Sequence, residues 1–147
     1  MKLFKTKESS MKLMVCYDAS EAADQALKLA QAYAKKWCAT IDVVSAAQQE
    51  DDSNPETDRK IEETFQSRLK ERFQNCDVPY AGYVLIKPFT VAEQLIMFSE
   101  NRAYDFMFVG ISKRSKTGKL LYGSTAQYVI LNAPCPVISF NGIGRAF

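Results

Sequence analysis

The stretch of the chain with the most groups that could bind an anion is residues 109–125. It joins an apolar segment to a helix-forming segment and contains three glycines, four cations and several hydroxyl groups. Glycine lets a backbone approach a ligand closely, and a helix N-terminus presents unpaired N–H groups with a partial positive charge. This combination predicts an anion site, and phosphate is the anion that suits it best.

The charge distribution favours the same site. The net charge is +2, but residues 106–147 hold five Lys and Arg and no Asp or Glu. Four of these cations, Lys113, Arg114, Lys116 and Lys119, lie within the glycine-rich stretch. Positive potential is therefore concentrated where the backbone is open, which favours a small anionic ligand. A solvated basic loop is the alternative interpretation.

Two established phosphate motifs do not match this chain. A P-loop needs G-x4-G-K-[ST], whereas Leu120 follows Gly118 and Lys119, and Lys113 stands at the first glycine position. A dinucleotide fingerprint needs G-x-G-x-x-G after the first strand, where this chain has residues 18–20, Asp-Ala-Ser. The glycine-rich stretch must therefore be explained by another motif.

Residue types also exclude several kinds of chemistry. The 147 residues include no histidine, which excludes a Ser/His/Asp triad, a Cys/His dyad and any metal site with histidine ligands. Cys16, Cys38, Cys76 and Cys135 form no C-x-x-C pair, which argues against a zinc site or a redox couple. We expect Cys16 to pack in a buried strand, although a reactive thiol beside Asp18 is the alternative.

The elements that would position these groups alternate between strands and helices. Apolar runs predict strands at residues 12–17, 40–46, 79–86, 105–109 and 136–140. The alternation predicts an α/β fold, a five-stranded parallel sheet with helices on both faces (Rossmann-like). Ligands bind such sheets at the carboxyl ends of the strands, where Asp18 and Gly110 would border one crevice.

The intervening helices carry start signals and apolar stripes. Ser20 caps a helix of about 17 residues, a loop at residues 47–54 precedes a helix that begins near Pro55, and Thr90 with Glu93 forms a capping box for residues 91–102. The predicted buried residues of the second helix are Ile61, Phe65, Leu69 and Phe73. In the last helix, Ser124 is the predicted cap and the inward residues are Ala126, Val129, Ile130 and Ala133.

Length and hydropathy indicate one domain. We divide the chain into a polar N-terminal extension (1–10), a single domain (11–141) and a loose C-terminal tail (142–147). Residues 1–10 lack the apolar core of a secretory signal, and no apolar run approaches the length of a membrane helix, so we expect a cytoplasmic protein with no membrane contact. Nucleic-acid binding is not expected, because the chain as a whole is only slightly basic.

The wider pattern of the glycine-rich stretch resembles the nucleotide motif of the universal stress protein family. Gly110, Gly123 and Ser124 stand at the spacing of G-x-x-G-x9-G-[ST], with Lys113 in place of the second glycine. The resemblance extends over residues 12–140. It includes Val-Cys-Tyr-Asp-Ala-Ser at residues 15–20. It also includes the run at residues 123–137, Gly-Ser-Thr-Ala-Gln-Tyr-Val-Ile-Leu-Asn-Ala-Pro-Cys-Pro-Val. It implies an adenine nucleotide alpha hydrolase-like fold that binds ATP or AMP.

The resemblance also implies where the nucleotide would lie. Asp18 and Ala46 would contact the adenosine, Val109 and Gly110 would line the ribose, and the phosphates would lie beside the last helix. The complete set of implied ligand-binding residues is Asp18, Ala19, Ala46, Val109, Gly110, Ser112, Lys113, Arg114, Gly118, Lys119, Gly123, Ser124 and Thr125. The alternative role for Asp18 is to hold the turn that enters the first helix.

Lys113 is the departure from the family motif, because its side chain could obstruct the phosphate approach or its ammonium group could neutralise phosphate. We expect a regulatory nucleotide-binding domain with little or no catalysis, in which Mg²⁺ accompanies the phosphates. The alternatives are an interaction module of the same fold without nucleotide, or a slow ATP hydrolase. The resemblance also implies a homodimer through the strand at Val137 to Phe140, with a protein partner that the sequence does not identify.

Overall fold

The computed structural model describes residues 10–111 and 123–141. The predictions for the tail and for most of the N-terminal extension and basic loop lie outside this part of the chain. The described residues form nine elements in alternating order: β1 (Lys12–Cys16), α1 (Glu21–Trp37), β2 (Thr40–Gln48), α2 (Pro55–Arg72), β3 (Tyr80–Lys87), α3 (Val91–Ser99), β4 (Phe106–Gly110), α4 (Ser124–Asn132) and β5 (Val137–Phe140).

The five strands form one parallel sheet in the order β3-β2-β1-β4-β5. The chain runs outward from β1 to β3 and then crosses back to β4, so the direction of progress changes between β1 and β4. A crossover that reverses direction places its helix on the opposite face of the sheet. The predicted α/β class, with parallel strands and helices on both faces, is confirmed.

Alternate residues of the central strands build two apolar cores. Leu13 and Val15 face α1 and α2, whereas Met14 and Cys16 face α3 and α4. Successive side chains of a strand point to opposite faces, so a strand covered on both sides is apolar at every position. This explains why β1 reads as a continuous apolar run.

Helix α1 matches its prediction in length and cap. Ser20 Oγ accepts from the Ala23 N–H at 3.1 Å, and the helix runs for 17 residues. Its buried face consists mostly of alanine: Ala22, Ala23, Ala26, Ala30 and Ala34. Alanine side chains are short, so the helix axis lies close to the sheet.

A polar network joins α1 to α2. Tyr17 donates to Asp24 Oδ1 at 2.5 Å, and Arg72 donates through Nε and a terminal nitrogen to both carboxylate oxygens at 3.0 and 3.2 Å. Burial opposes ionisation of Asp24, but the hydrogen bonds from Arg72 and Tyr17 outweigh it and hold the pKa of this carboxyl below its ordinary value. The network fixes the start of α1 against the end of α2.

Two predicted element boundaries are wrong. Strand β2 continues through Gln48, where the sequence indicated a loop from residue 47, because residues 47 and 48 stay in register with Ile86 and Lys87 of β3. Helix α3 ends at Ser99 instead of near residue 102, since Ser99 Oγ donates to the Ile96 carbonyl and Ala103 adopts a left-handed conformation with φ 53°.

Three predictions for individual side chains are also wrong. Gly123, not Ser124, occupies the N-cap position of α4, and Ser124 is its first helical residue. Ile130 is 42% exposed, because α4 turns Ala126 and Val129 to the core and leaves the neighbouring position outward. Ile61 is 39% exposed, whereas Phe65 and Leu69 further along α2 are buried. Helix α2 therefore meets the sheet through only part of its apolar stripe.

Candidate functional site

A cavity of about 300 Å³ lies at the carboxyl ends of β1, β2 and β4, where the strand order changes direction. We call it the switch-point cavity. Open α/β sheets bind ligands in this position, because the connections that leave neighbouring strands diverge to opposite faces. The cavity brings together seven predicted site residues from distant parts of the chain: Asp18, Ala46, Val109, Gly110, Gly123, Ser124 and Thr125.

Asp18 occupies the turn between β1 and α1. Its Oδ1 accepts from the Ser20 N–H at 3.0 Å, so the carboxylate does hold the helix-entry turn, which was the alternative role for this residue. Asp18 is also exposed and lines the cavity, so both roles are compatible with its position. Ala19, which follows it, has φ 63° and lies at a second cavity instead of this one.

Gly110 ends β4 directly beneath the first turn of α1. A Cβ at this position would overlap the backbone carbon and oxygen of Ala22 and would lie 2.8 Å from the Ala23 nitrogen. The sequence interpretation assigned this glycine to close approach by a ligand. The structure adds a different requirement, because only glycine allows α1 to lie against the end of β4.

The start of α4 is open. Gly123 is the N-cap, no described side chain accepts a hydrogen bond from the first turn, and the turn contains no acidic residue. Ser124 and Thr125 follow at the cavity rim. N–H groups that no described side chain caps, together with the positive end of the helix dipole, therefore lie beside the cavity, an arrangement that suits an anion.

The walls of the cavity are mainly apolar, and the sequence interpretation missed most of them. Val44 precedes Ala46 by two residues on β2, and Val91 and Leu95 lie one turn apart on α3. Both spacings place their members on one face, so the strand and helix periods carried a signal for these positions. The missed lining residues are Cys16, Tyr17, Ala23, Val44, Val91, Leu95 and Ala126.

The thiol of Cys16 faces this cavity without being reactive. Burial raises the pKa of Cys16 to about 12, and the nearby Cys135 and Asp18 contribute in the same direction. The thiol is therefore protonated at neutral pH and is a poor nucleophile. The predicted packing role of Cys16 agrees with its burial at 6% exposure.

The remaining predicted site residues, Ser112, Lys113, Arg114, Gly118 and Lys119, lie outside the described residues. Within residues 10–111 and 123–141, no three Cys, Asp or Glu side chains gather into a group that could hold a metal ion. No helix in the same part of the chain is long and apolar enough to cross a bilayer. The geometry thus describes a cavity with apolar walls, one carboxylate and an open helix start.

A five-stranded parallel sheet with a cavity at its switch point places the chain in the class of doubly wound α/β folds. Within this class, a profile of the universal stress protein family matches residues 10–140, so the chain belongs to the universal stress protein family. The resemblance seen in the sequence is confirmed. A curated relative from Thermus aquaticus, "Universal stress protein in QAH/OAS sulfhydrylase 3'region", is 27% identical in an alignment 137 residues long that covers 86% of this chain and 95% of that protein.

Solved structures show the same fold. A universal stress protein from Archaeoglobus fulgidus has a TM-score of 0.77 at 26% identity, over 89% of this chain and 98% of that one. An Archaeoglobus fulgidus universal stress protein in complex with dAMP has a TM-score of 0.71 at 20% identity, with the same coverage. Further structures with this fold contain cAMP or, in a protein from Arabidopsis thaliana, AMP.

Proposed function

We propose that this protein is a regulatory domain that binds an adenine nucleotide, ATP or AMP, in the switch-point cavity. The observation that carries the proposal is the meeting of an apolar cavity of about 300 Å³ with the open N-terminus of α4. Ligand pockets commonly combine apolar walls with a few convergent polar groups in this way. A nucleotide has the matching chemistry, with a flat base at one end and phosphate at the other.

We assign each part of the nucleotide to a different wall of the switch-point cavity. Val44, Val91 and Leu95 offer apolar surface to the base. Asp18 uses Oδ1 for the turn, and its carboxylate has further acceptor capacity for a ribose hydroxyl. The phosphates would meet the N–H groups that begin at Ser124. Mg²⁺ would then arrive with the phosphates, because it usually keeps several waters and few protein ligands.

Structures of relatives support this assignment. The Archaeoglobus fulgidus protein was solved with dAMP, and others of the same fold with cAMP or AMP. Adenine is common to all three ligands, whereas dAMP lacks the 2′-hydroxyl group of AMP and cAMP has a cyclic phosphate. We therefore propose adenine recognition as the shared feature and leave the choice between ATP and AMP to measurement.

Thermal unfolding with added nucleotide tests the proposal. A ligand at a hundredfold excess over its Kd adds about 2.7 kcal/mol to the free energy of unfolding, which corresponds to a rise in Tm of roughly 5 to 10 °C here. We expect this rise with AMP or Mg-ATP. No shift at millimolar nucleotide would leave the interaction module without nucleotide as the better explanation.

Asp18→Asn separates ligand contact from the turn. An asparagine oxygen still accepts from the Ser20 N–H, so the turn is kept while the carboxylate is lost. We expect about tenfold weaker AMP binding by calorimetry. Asp105→Asn is the matched control, because Asp105 also accepts a backbone N–H, that of Lys12 at 2.8 Å, but at the opposite end of the sheet. Equal affinities for both variants would contradict the assignment of Asp18.

We further propose that two copies pair through β5, the last strand of the sheet. Strand edges invite pairing with another chain, and Leu131 on the adjoining α4 is 81% exposed. Analytical ultracentrifugation should find a dimer, and Ser139→Lys, which places charge on β5, should shift it towards monomer. A monomeric wild-type protein would exclude this proposal without affecting nucleotide binding.

A further inference from the structure

A second cavity, of about 340 Å³, opens on the other side of the turn at Asp18. We call it the α2 cavity, because the first half of α2 forms its outer wall. It shares Tyr17 and Asp18 with the switch-point cavity, so the turn between β1 and α1 separates the two. The described residues that line it are Tyr17, Asp18, Ala19, Ser45, Thr57, Lys60, Ile61, Thr64, Phe65 and Arg68.

The floor of the α2 cavity is apolar. Tyr17 and Phe65 are 3% and 7% exposed, and their rings lie 6.3 Å apart between centroids. Ile61 continues the apolar stripe of α2 but is 39% exposed and lines the cavity. The side chain that should complete the core therefore lines an open cavity, where an apolar ligand could cover it.

The rim of the α2 cavity carries more positive than negative charge. Lys60 and Arg68 both lie on α2, and Arg68 is one helical turn from Thr64. Lys60 contacts Glu56, one turn before it, at 3.4 Å in a solvent-exposed ion pair. The half-buried Arg68 guanidinium lies near the Tyr17 hydroxyl and opposes the rise in its pKa caused by burial and Asp24. An exposed ion pair is worth little, so Lys60 can exchange Glu56 for another anion.

The described lining residues carry one negative charge, on Asp18, against the two positive charges of Lys60 and Arg68. Asp18 is the acidic residue among the described lining residues, and its Oδ1 accepts from the Ser20 N–H. The hydroxyl of Thr64 adds a neutral donor between the two cations on α2. A ligand with an anionic group towards Arg68 and an apolar body towards Ile61 complements this distribution.

From this distribution, we propose that the α2 cavity binds a small organic carboxylate with an apolar body of one or two rings. The apolar body would cover Ile61 and Phe65, and the carboxylate would pair with Arg68 and Lys60. This site lies across the turn at Asp18 from the proposed nucleotide cavity, and its occupation does not require nucleotide.

Naphthoate and its uncharged counterpart naphthylmethanol are suitable probes, because they share one apolar body and differ in charge. Two-dimensional NMR of the full chain, titrated with naphthoate in the presence of excess AMP, should shift the signals of Thr57, Lys60, Thr64 and Arg68. Naphthylmethanol should bind about tenfold more weakly, since it cannot form the charge-assisted hydrogen bonds. The map of shifted signals reports this site whether or not AMP binds.

Three variants locate the probe. Arg68→Gln should weaken naphthoate binding about tenfold, and Thr64→Trp, an exposed position on α2, should abolish it by filling the cavity. Lys70→Gln is the matched control, because Lys70 is exposed on the same helix but does not line the cavity. The proposal is overturned if naphthoate shifts only signals of the switch-point cavity, or if Thr64→Trp binds naphthoate as Lys70→Gln does.

Discussion

Of the four helices in the described part of the chain, three have an N-terminus capped by a side chain, and the fourth has no such cap among the described residues. Ser20, Asn54 and Thr90 accept from the first turns of α1, α2 and α3, and each of these turns contains an acidic residue. Helix α4 begins at Gly123 with neither a capping side chain among the described residues nor an acid. The starts of α1 and α3 also border the switch-point cavity, through Ala23 and Val91, so the missing cap distinguishes α4 among them.

The starts of α1, α2 and α3 are stabilised by side chains of the fold, whereas no described side chain caps the start of α4. A cap and a first-turn acid neutralise the N–H groups and the dipole at a helix start. At α4 no described side chain does so, and Gly123, Ser124 and Thr125 line the switch-point cavity. The omission of a cap therefore coincides with the position at which we propose that phosphate binds.

The largest expected effect on stability comes from Gly110, which lies beneath the capped first turn of α1. Gly110→Ala places a Cβ against the backbone of Ala22, which cannot move without displacing α1. We expect the free energy of unfolding to fall by about 3 kcal/mol in urea titrations. Gly123→Ala is the matched control, because an added Cβ meets nothing within 4 Å there. Equal stabilities of the two variants would contradict the close packing of α1 on β4.

The first-turn acid of α1 provides a pH-dependent effect. The pKa of Asp24 is lower in the folded protein than in the unfolded chain, because the ionised carboxylate pairs with Arg72. This pair stabilises the fold above a pH of about 4, the ordinary pKa of an aspartate. The stabilisation is lost as the pH falls through the pKa that Asp24 has in the folded protein.

Asp24→Asn should cost about 2 kcal/mol at neutral pH, less than a fully buried pair because 21% of the Asp24 side chain is exposed. Urea titrations from pH 7 to pH 3 should show this difference shrinking towards zero at the acidic end. A difference that is constant with pH would mean that the carboxylate charge contributes nothing. Asp77→Asn, on an exposed aspartate remote from the network, serves as the control.

Removal of a cap gives a smaller loss. Thr90 Oγ1 accepts from the Glu93 N–H at 3.2 Å, and the Glu93 carboxylate accepts from the Thr90 N–H at 2.9 Å. Thr90→Ala breaks this capping box and should lower the free energy of unfolding by about 1 kcal/mol. Thr90→Ser should restore most of the loss, and failure to do so would assign the effect to the methyl group instead of the hydroxyl.

The smallest effect tests the open helix start directly. Gly123→Asp adds both a capping side chain and a negative charge to α4, so it should raise stability by about 0.5 kcal/mol. The same carboxylate should weaken AMP binding about threefold, because it competes for the N–H groups and repels phosphate. Gly123→Ala should leave AMP affinity unchanged. A stability gain without loss of affinity would place the phosphate elsewhere.

Local signals in the sequence predicted much of the scaffold. The Ser20 cap and the alanine spacing that follows it located α1, and the pair Thr90 and Glu93 located the start of α3. These signals work because capping and helix periodicity involve residues within four positions of each other. The prediction was wrong at Ile61, because burial depends on which distant segments pack over α2 and not on the spacing of apolar residues within the helix.

The sequence was sufficient to predict the alternation of strands and helices and to identify the family motif and the basic, glycine-rich segment. Each of these is a pattern of neighbouring residues. Tertiary contacts set the strand order, and this order brings Asp18, Ala46 and Val109 together around one cavity. It also assigned Gly110 to the packing of α1 and opened the α2 cavity. Contacts between distant segments depend on the direction of each crossover and on helix packing, which local periodicity does not specify.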